Sequence, residues 1–153
     1  MNRFLASKLH REAAWLIEGT DIVEKTLMPT VLIVDGDLGF VFWLGQGLDE
    51  AGYQALPAKN CEAATDLLKQ LNVAIDVLIL GSSCVGARAF ADSLRQSQKH
   101  LKVIVAVSDW EEPIRALPLA DASKQRCSCR DETSRLEWLE TIEAVLSQNC
   151  RMN

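Results

Sequence analysis

The sequence predicts an α/β protein in which a parallel β-sheet lies between two layers of helices. Three observations carry that expectation. Short strand-like runs alternate with helical stretches about five times along the chain. The runs Val31-Leu32-Ile33-Val34 and Val103-Ile104-Val105-Ala106-Val107 are apolar throughout, as strands buried on both faces require. Cap and turn residues fall where one pattern gives way to the next.

Taken in order, residues 3–18 read as a helix, because Leu5, Leu9, Ala13 and Leu16 recur at helical spacing. Gly19-Thr20-Asp21 breaks the pattern, Asp21 and Glu24 fit a cap for a short helix over 22–27, and Pro29 ends it. Val31–Val34 is the first strand, followed by the acidic Asp35-Gly36-Asp37. Residues 38–51 read as helix with Phe40, Trp43, Leu44 and Leu48 inward, closed by Gly52 at the C′ position. Tyr53 to Leu56 is a short strand, and Asn60 caps a helix whose apolar face is Ala63, Ala64, Leu67, Leu68 and Leu71. Val73 to Leu80 reads as a third strand interrupted by Asp76. Gly81 to Gly86 reads as a loop of small residues, and 87–97 as a helix with Phe90 and Leu94 inward. Val103–Val107 is the fourth strand. Pro113 and Pro118 argue against a long helix over 109–121. A fifth strand is placed within 122–127, and a last helix over 135–148 with Ser134 and Glu137 as its capping box. The organisation expected is a helical extension over 1–29, one domain over 30–148 and a tail over 149–153.

A chain of 153 residues with 48% hydrophobic content holds enough apolar material for one real core. Its formal charge of -5 argues against direct nucleic-acid binding, which wants a basic face. No apolar run approaches the roughly 20 residues that span a bilayer, and Lys8, His10, Arg11 and Glu12 break any signal-peptide core. Cys61, Cys84, Cys127, Cys129 and Cys150 make an odd count, which reads as reduced thiols in a cytoplasmic protein. The CxC of Cys127 and Cys129 has no second Cys/His pair beside it and reads as two small residues near a strand end, not a metal site. His10 and His100 stand apart from any acid or nucleophile and read as surface residues.

Ligand sites in parallel sheets lie at the carboxyl ends of the strands. The residues there are Asp35, Gly36, Asp37, Gly81, Ser82, Ser83, Ser108 and Asp109. At this point a family likeness becomes legible. Val31 to Asp37 resembles the first strand and acidic cluster of a response-regulator receiver (CheY-like) domain. Leu48-Asp49-Glu50-Ala51-Gly52-Tyr53, Asn60-Cys61-Glu62-Ala63-Ala64, Asp76-Val77-Leu78-Ile79-Leu80 and Val103 to Ser108 resemble its later elements in order. The resemblance covers about three quarters of the chain, Thr30 to Leu146. It implies a three-layer flavodoxin-like (βα)5 sandwich with a five-stranded parallel sheet in the order 2-1-3-4-5, here with an extra N-terminal helical segment.

The resemblance also implies a chemistry. An acidic pair after the first strand holds Mg²⁺, and an aspartate ending the third strand accepts a phosphoryl group. A Ser or Thr after the fourth strand and a Lys after the fifth contact the phosphoryl oxygens. Asp35 and Ser108 match two of these positions. Gly36 falls on the second acidic position, with Asp37 beside it. Gly81 falls on the acceptor position, and a hydrogen side chain is no nucleophile. Asp76 lies five residues back, roughly 16 Å along a strand. Lys124, Arg126 and Arg130 all lie near the lysine position, and none precedes the usual proline. Asp109, after Ser108, would repel a phosphoryl group. The expectation is a degenerate pseudo-receiver that is no enzyme and takes no cofactor, with Asp35 and Asp37 as a vestigial Mg²⁺ site. The bland alternative for those two is a solvated acidic loop.

Function is then expected in contacts. Val41 and Phe42 extend apolar surface around the helix 38–51, and Leu5, Leu9 and Leu16 give residues 3–28 a matching face that would pack on it in the same chain or in a dimer partner. The partner is a protein or a second copy of the chain, and no membrane or nucleic acid is engaged directly. Two rival readings stand beside this one. The loop Gly81-Ser82-Ser83-Cys84-Val85-Gly86 could hold a nucleotide or other small ligand through backbone N–H groups, or Asp35 and Asp37 could serve a metal-dependent phosphate-ester enzyme.

Overall fold

The computed structural model describes residues 28–108, 120–126 and 130–151. Strands β1 (Thr30–Val34), β2 (Gln54–Ala58), β3 (Val77–Gly81), β4 (Lys102–Val107) and β5 (Ala122–Gln125) form one parallel sheet in the order β2-β1-β3-β4-β5. The helices are α1 (Leu38–Glu50), α2 (Cys61–Leu71), α3 (Ala87–Ser97) and α4 (Glu132–Arg151). The expected three-layer sandwich and strand order are those observed. The helices expected at 3–18 and 22–27, the proline-bearing stretch 109–119 and the CxC pair lie outside the described residues, as do Leu5, Leu9, Leu16 and Asp109.

Every residue of β1 and β3 is buried. Successive side chains point to opposite faces. Leu32, Val34, Leu78, Leu80, Val103 and Val105 pack under α2 and α3, with Ala64, Ala91 and Leu94. Val31, Ile33, Val77, Ile79 and Ile104 pack under α1 and α4, with Phe40, Leu44, Trp138 and Ile142. The Phe40 and Trp138 rings meet with centroids 5.3 Å apart and fix α1 against α4. The central strands thus carry two cores on one backbone, and the strand ends between them become a rigid rim.

Element ends differ from the sequence expectation where side chains take over from the ladder. β3 begins at Val77, not Val73. Asp76 accepts the Thr30 N–H at 2.8 Å through its side chain, and the Gln98 side chain accepts the Ile75 N–H at 2.6 Å. β2 runs on through Pro57 to Ala58, which its position at the sheet edge permits. α4 begins at Glu132 because Asp131, not Ser134, accepts a first-turn N–H, that of Ser134 at 2.9 Å. It continues to Arg151.

The exposed apolar face expected on α1 is corrected. Val41 is fully buried in the core shared with α4. The inward arc is Phe40, Val41, Leu44, Gly47 and Leu48, while Trp43 is only partly covered. Gly47 lies on the same arc: a Cβ there would collide with the Arg135 side chain, whose guanidinium lies 5.5 Å from the Trp43 ring. Phe42, 60% exposed, and Leu38 remain outside.

Candidate functional site

The rim at the carboxyl ends of β1, β3 and β4 gathers the residues the sequence singled out. Asp35 follows β1 and is buried. Its Oδ1 accepts the Asp37 N–H at 2.9 Å and an Arg126 Nη1–H at 2.8 Å. Its Oδ2 is buried without a hydrogen-bond partner. Asp37 caps α1, with Oδ1 accepting the Phe40 N–H at 3.2 Å, and its Oδ2 accepts from Arg130 Nη2. Gly36 between them is exposed, with open space where a side chain would go. Ser108 follows β4 and is buried.

Gly81 is the decisive position. A Cβ built there would lie 2.7 Å from Asp35 Oδ2 and 2.9 Å from its Cγ. The Asp35 carboxylate therefore occupies the space through which any side chain at 81 would have to leave the backbone. Asp35 is a short side chain held by two donors, so it cannot swing away cheaply.

The three candidate cations separate by their position along the strand. Lys124, inside β5, turns to Glu137 on α4, with Nζ 3.8 Å from Oε1. Arg126, just past β5, is fixed by its N–H to the Val107 carbonyl at 2.7 Å and reaches Asp35. Arg130 lies across the start of α1, where a Cβ on Gly39 would collide with its guanidinium.

The two carboxylates respond in opposite directions. Burial pushes Asp35 above the usual carboxylate range, outweighing the Asp37 N–H and the Arg126 charge. Burial acts the same way on Asp37, but the Phe40 N–H and the Arg130 charge overcome it and hold Asp37 below that range. The Cys84 thiol, which sequence reasoning did not single out, lies at the same rim. It donates to the Val34 carbonyl at 3.6 Å and is pushed up by burial and by the nearby Asp35. A raised thiol is a poor nucleophile.

Neither rival reading gains support from this geometry. The Ser82, Cys84 and Ala87 N–H groups already donate to the carbonyls of Ala106, Gly81 and Cys84, so they do not converge on an anion. Val85 in that loop is almost fully exposed. A cavity of about 290 Å³ between α2 and α3, floored by Leu68, Val73, Phe90 and Leu94, lies away from the rim. Among the described residues no group of three His, Cys, Asp or Glu side chains is placed to hold a metal, and no helix is long and apolar enough to cross a membrane.

No protein-family model matches the chain, and no curated protein matches it by sequence. Solved structures do match. A response regulator from Thermotoga maritima superposes with TM-score 0.62 at 20% identity, over 79% of this chain and 99% of its own. The fold is that of a response-regulator receiver domain. A CheY-like receiver domain protein from Methanospirillum hungatei JF-1 gives TM-score 0.64 at 17% identity over 82% of this chain and 99% of its own. The response regulator protein TrrA from Thermotoga maritima, solved in complex with Mg²⁺ and BeF, gives 0.57 at 25% identity over 77% and 99%. The sequence resemblance implies a Mg²⁺ held by the acidic residues after β1, here Asp35 and Asp37.

The residues present do not fit that ion. Mg²⁺ needs carboxylate oxygens with lone pairs open to it. Asp35 Oδ1 already accepts two hydrogen bonds, Asp35 Oδ2 is buried, and the Arg126 and Arg130 guanidinium groups place positive charge against both carboxylates, where it would repel a cation.

Proposed function

We propose that this chain is a pseudo-receiver: a protein–protein interaction module of two-component-type signalling that carries no phosphoryl group and catalyses no reaction. One observation carries the reading, the Asp35 carboxylate lying in the space a side chain at position 81 would need. A receiver with no acceptor, and no room for one, is regulated by what binds it. The exposed Leu38 and Phe42, one helical turn apart on α1, supply the contact surface. Its occupant is a protein partner or a second copy of the chain, with residues 3–28 providing the complementary apolar face.

The direct test is incubation with acetyl phosphate and MgCl₂ followed by intact-mass measurement. The expected spectrum shows the unmodified chain alone. A phosphoryl adduct that survives isolation and is lost in alkali would overturn the reading.

A further inference from the structure

We infer that Arg126 and Arg130 are built-in replacements for a divalent cation, and that together they mask a latent metal site. The inference rests on reading the rim as a former phosphoryl site. It goes further by assigning a role to two residues that the resemblance leaves open.

The argument begins with charge. Asp35 and Asp37 stand two residues apart on one rim, one buried and one half-exposed, and uncompensated carboxylates that close repel one another. A divalent cation would offset both. Two guanidinium groups carry the same total charge. Each pairs with one acid: Arg126 with Asp35 Oδ1, Arg130 with Asp37 Oδ2. Charge then opposes the ion itself. A metal at these carboxylates would meet the guanidinium groups of Arg126 on Asp35 Oδ1 and of Arg130 on Asp37 Oδ2, while Asp37 Oδ1 already caps α1 and Asp35 Oδ2 is buried.

The arginines also tie together what a central ion would tie. The pairs span 91 and 93 residues of sequence and link the end of β5 and the start of α4 to the end of β1 and the cap of α1. β5 is the strand most in need of this, since its Ala-Ser-Lys-Gln sequence leaves every residue at least partly exposed. Gly39 fits the arrangement, because a Cβ there would push the Arg130 guanidinium from its place over the first turn of α1.

The experiment compares the intact chain with Arg126→Ala/Arg130→Ala. Thermal unfolding is followed in millimolar MgCl₂ and in NaCl of matched ionic strength. Mn²⁺ is used as a probe of amide line-broadening by NMR. The wild-type midpoint should be the same in both salts, with no broadening at residues 35–37. The double variant should unfold at least about 10 °C lower, regain part of that loss in MgCl₂ but not in NaCl, and show Mn²⁺ broadening at residues 35–37. If the double variant does not fold, Arg130→Ala alone carries the test, with a smaller shift of the same pattern. Metal-dependent stability or broadening in the wild type overturns the inference, as does a folded variant with no metal response. Wild-type metal binding without a phosphoryl adduct sinks this inference alone, whereas an adduct sinks the pseudo-receiver reading.

Discussion

Asp35–Arg126 and Asp37–Arg130 are the same pair chemically, yet burial makes them different devices. The Asp35 side chain is 2% exposed and that of Asp37 is 36% exposed. For the first pair desolvation dominates, and the arginine limits a penalty it does not remove. In the second, water and a helix cap share the load, and the carboxylate prefers its charge. The inner pair therefore matters for what happens when it is broken, and the outer pair for what it adds. Arg126 is therefore what allows the inner acid to stay buried, rather than a source of net stability.

The largest expected effect breaks the inner pair. Arg126→Ala strands a buried carboxylate and should cost about 3–5 kcal/mol at neutral pH, read from urea unfolding. Arg130→Ala should cost about 1 kcal/mol or less, as exposed pairs do. Equal losses would show that burial does not distinguish the two. Next comes Gly81→Ala, which adds one carbon against Asp35 and should cost about 1–3 kcal/mol by overpacking. A neutral result would mean that Asp35 yields, and the central geometric observation would lose its force.

The pairs also differ in sign against pH. Asp35 is raised, so the folded state holds a proton that the unfolded state has released. Its contribution is most favourable below the ordinary value of 3.8 and is lost as pH rises through the folded value. Asp37 is lowered, so its contribution is present above 3.8 and lost as pH falls through the folded value. Asp37→Asn should accordingly flatten the acid limb of a stability–pH curve below about pH 4. An acid limb as steep as that of wild type would show that Asp37 is not the group responsible.

Much of this was legible in the sequence, and the gaps have identifiable causes. β1, β3 and β4 announce themselves because strands buried on both faces must be apolar at every position, and Gly81 stands out because the third strand ends on it. The choice among Lys124, Arg126 and Arg130 did not, because Ala-Ser-Lys-Gln has no apolar alternation to fix its register. Lys124 lies two residues, roughly 7 Å, farther from the rim than Arg126, and that distance hands it to Glu137 instead. Nor does local sequence show that acids and cations more than 90 residues apart meet. Val41 was misjudged because helical periodicity assigns a face but not its width, and here the core shared with α4 takes in Val41 as well.

The smallest expected effect on stability sharpens the contrast between the sealed rim and the open helix. Phe42 and Val41 are neighbours on α1, one exposed and one buried. Val41→Ala removes two buried methyl groups and should cost roughly 2 kcal/mol. Phe42→Ser touches no core and should change stability by no more than about 0.5 kcal/mol. Its effect should appear instead in association, as a lower sedimentation-equilibrium mass if two copies meet there, or as weaker capture of a partner if another protein does. If Phe42→Ser leaves both unchanged while remaining folded, α1 is not the contact face. The search would then move to the rim itself, where Val85 is almost fully exposed.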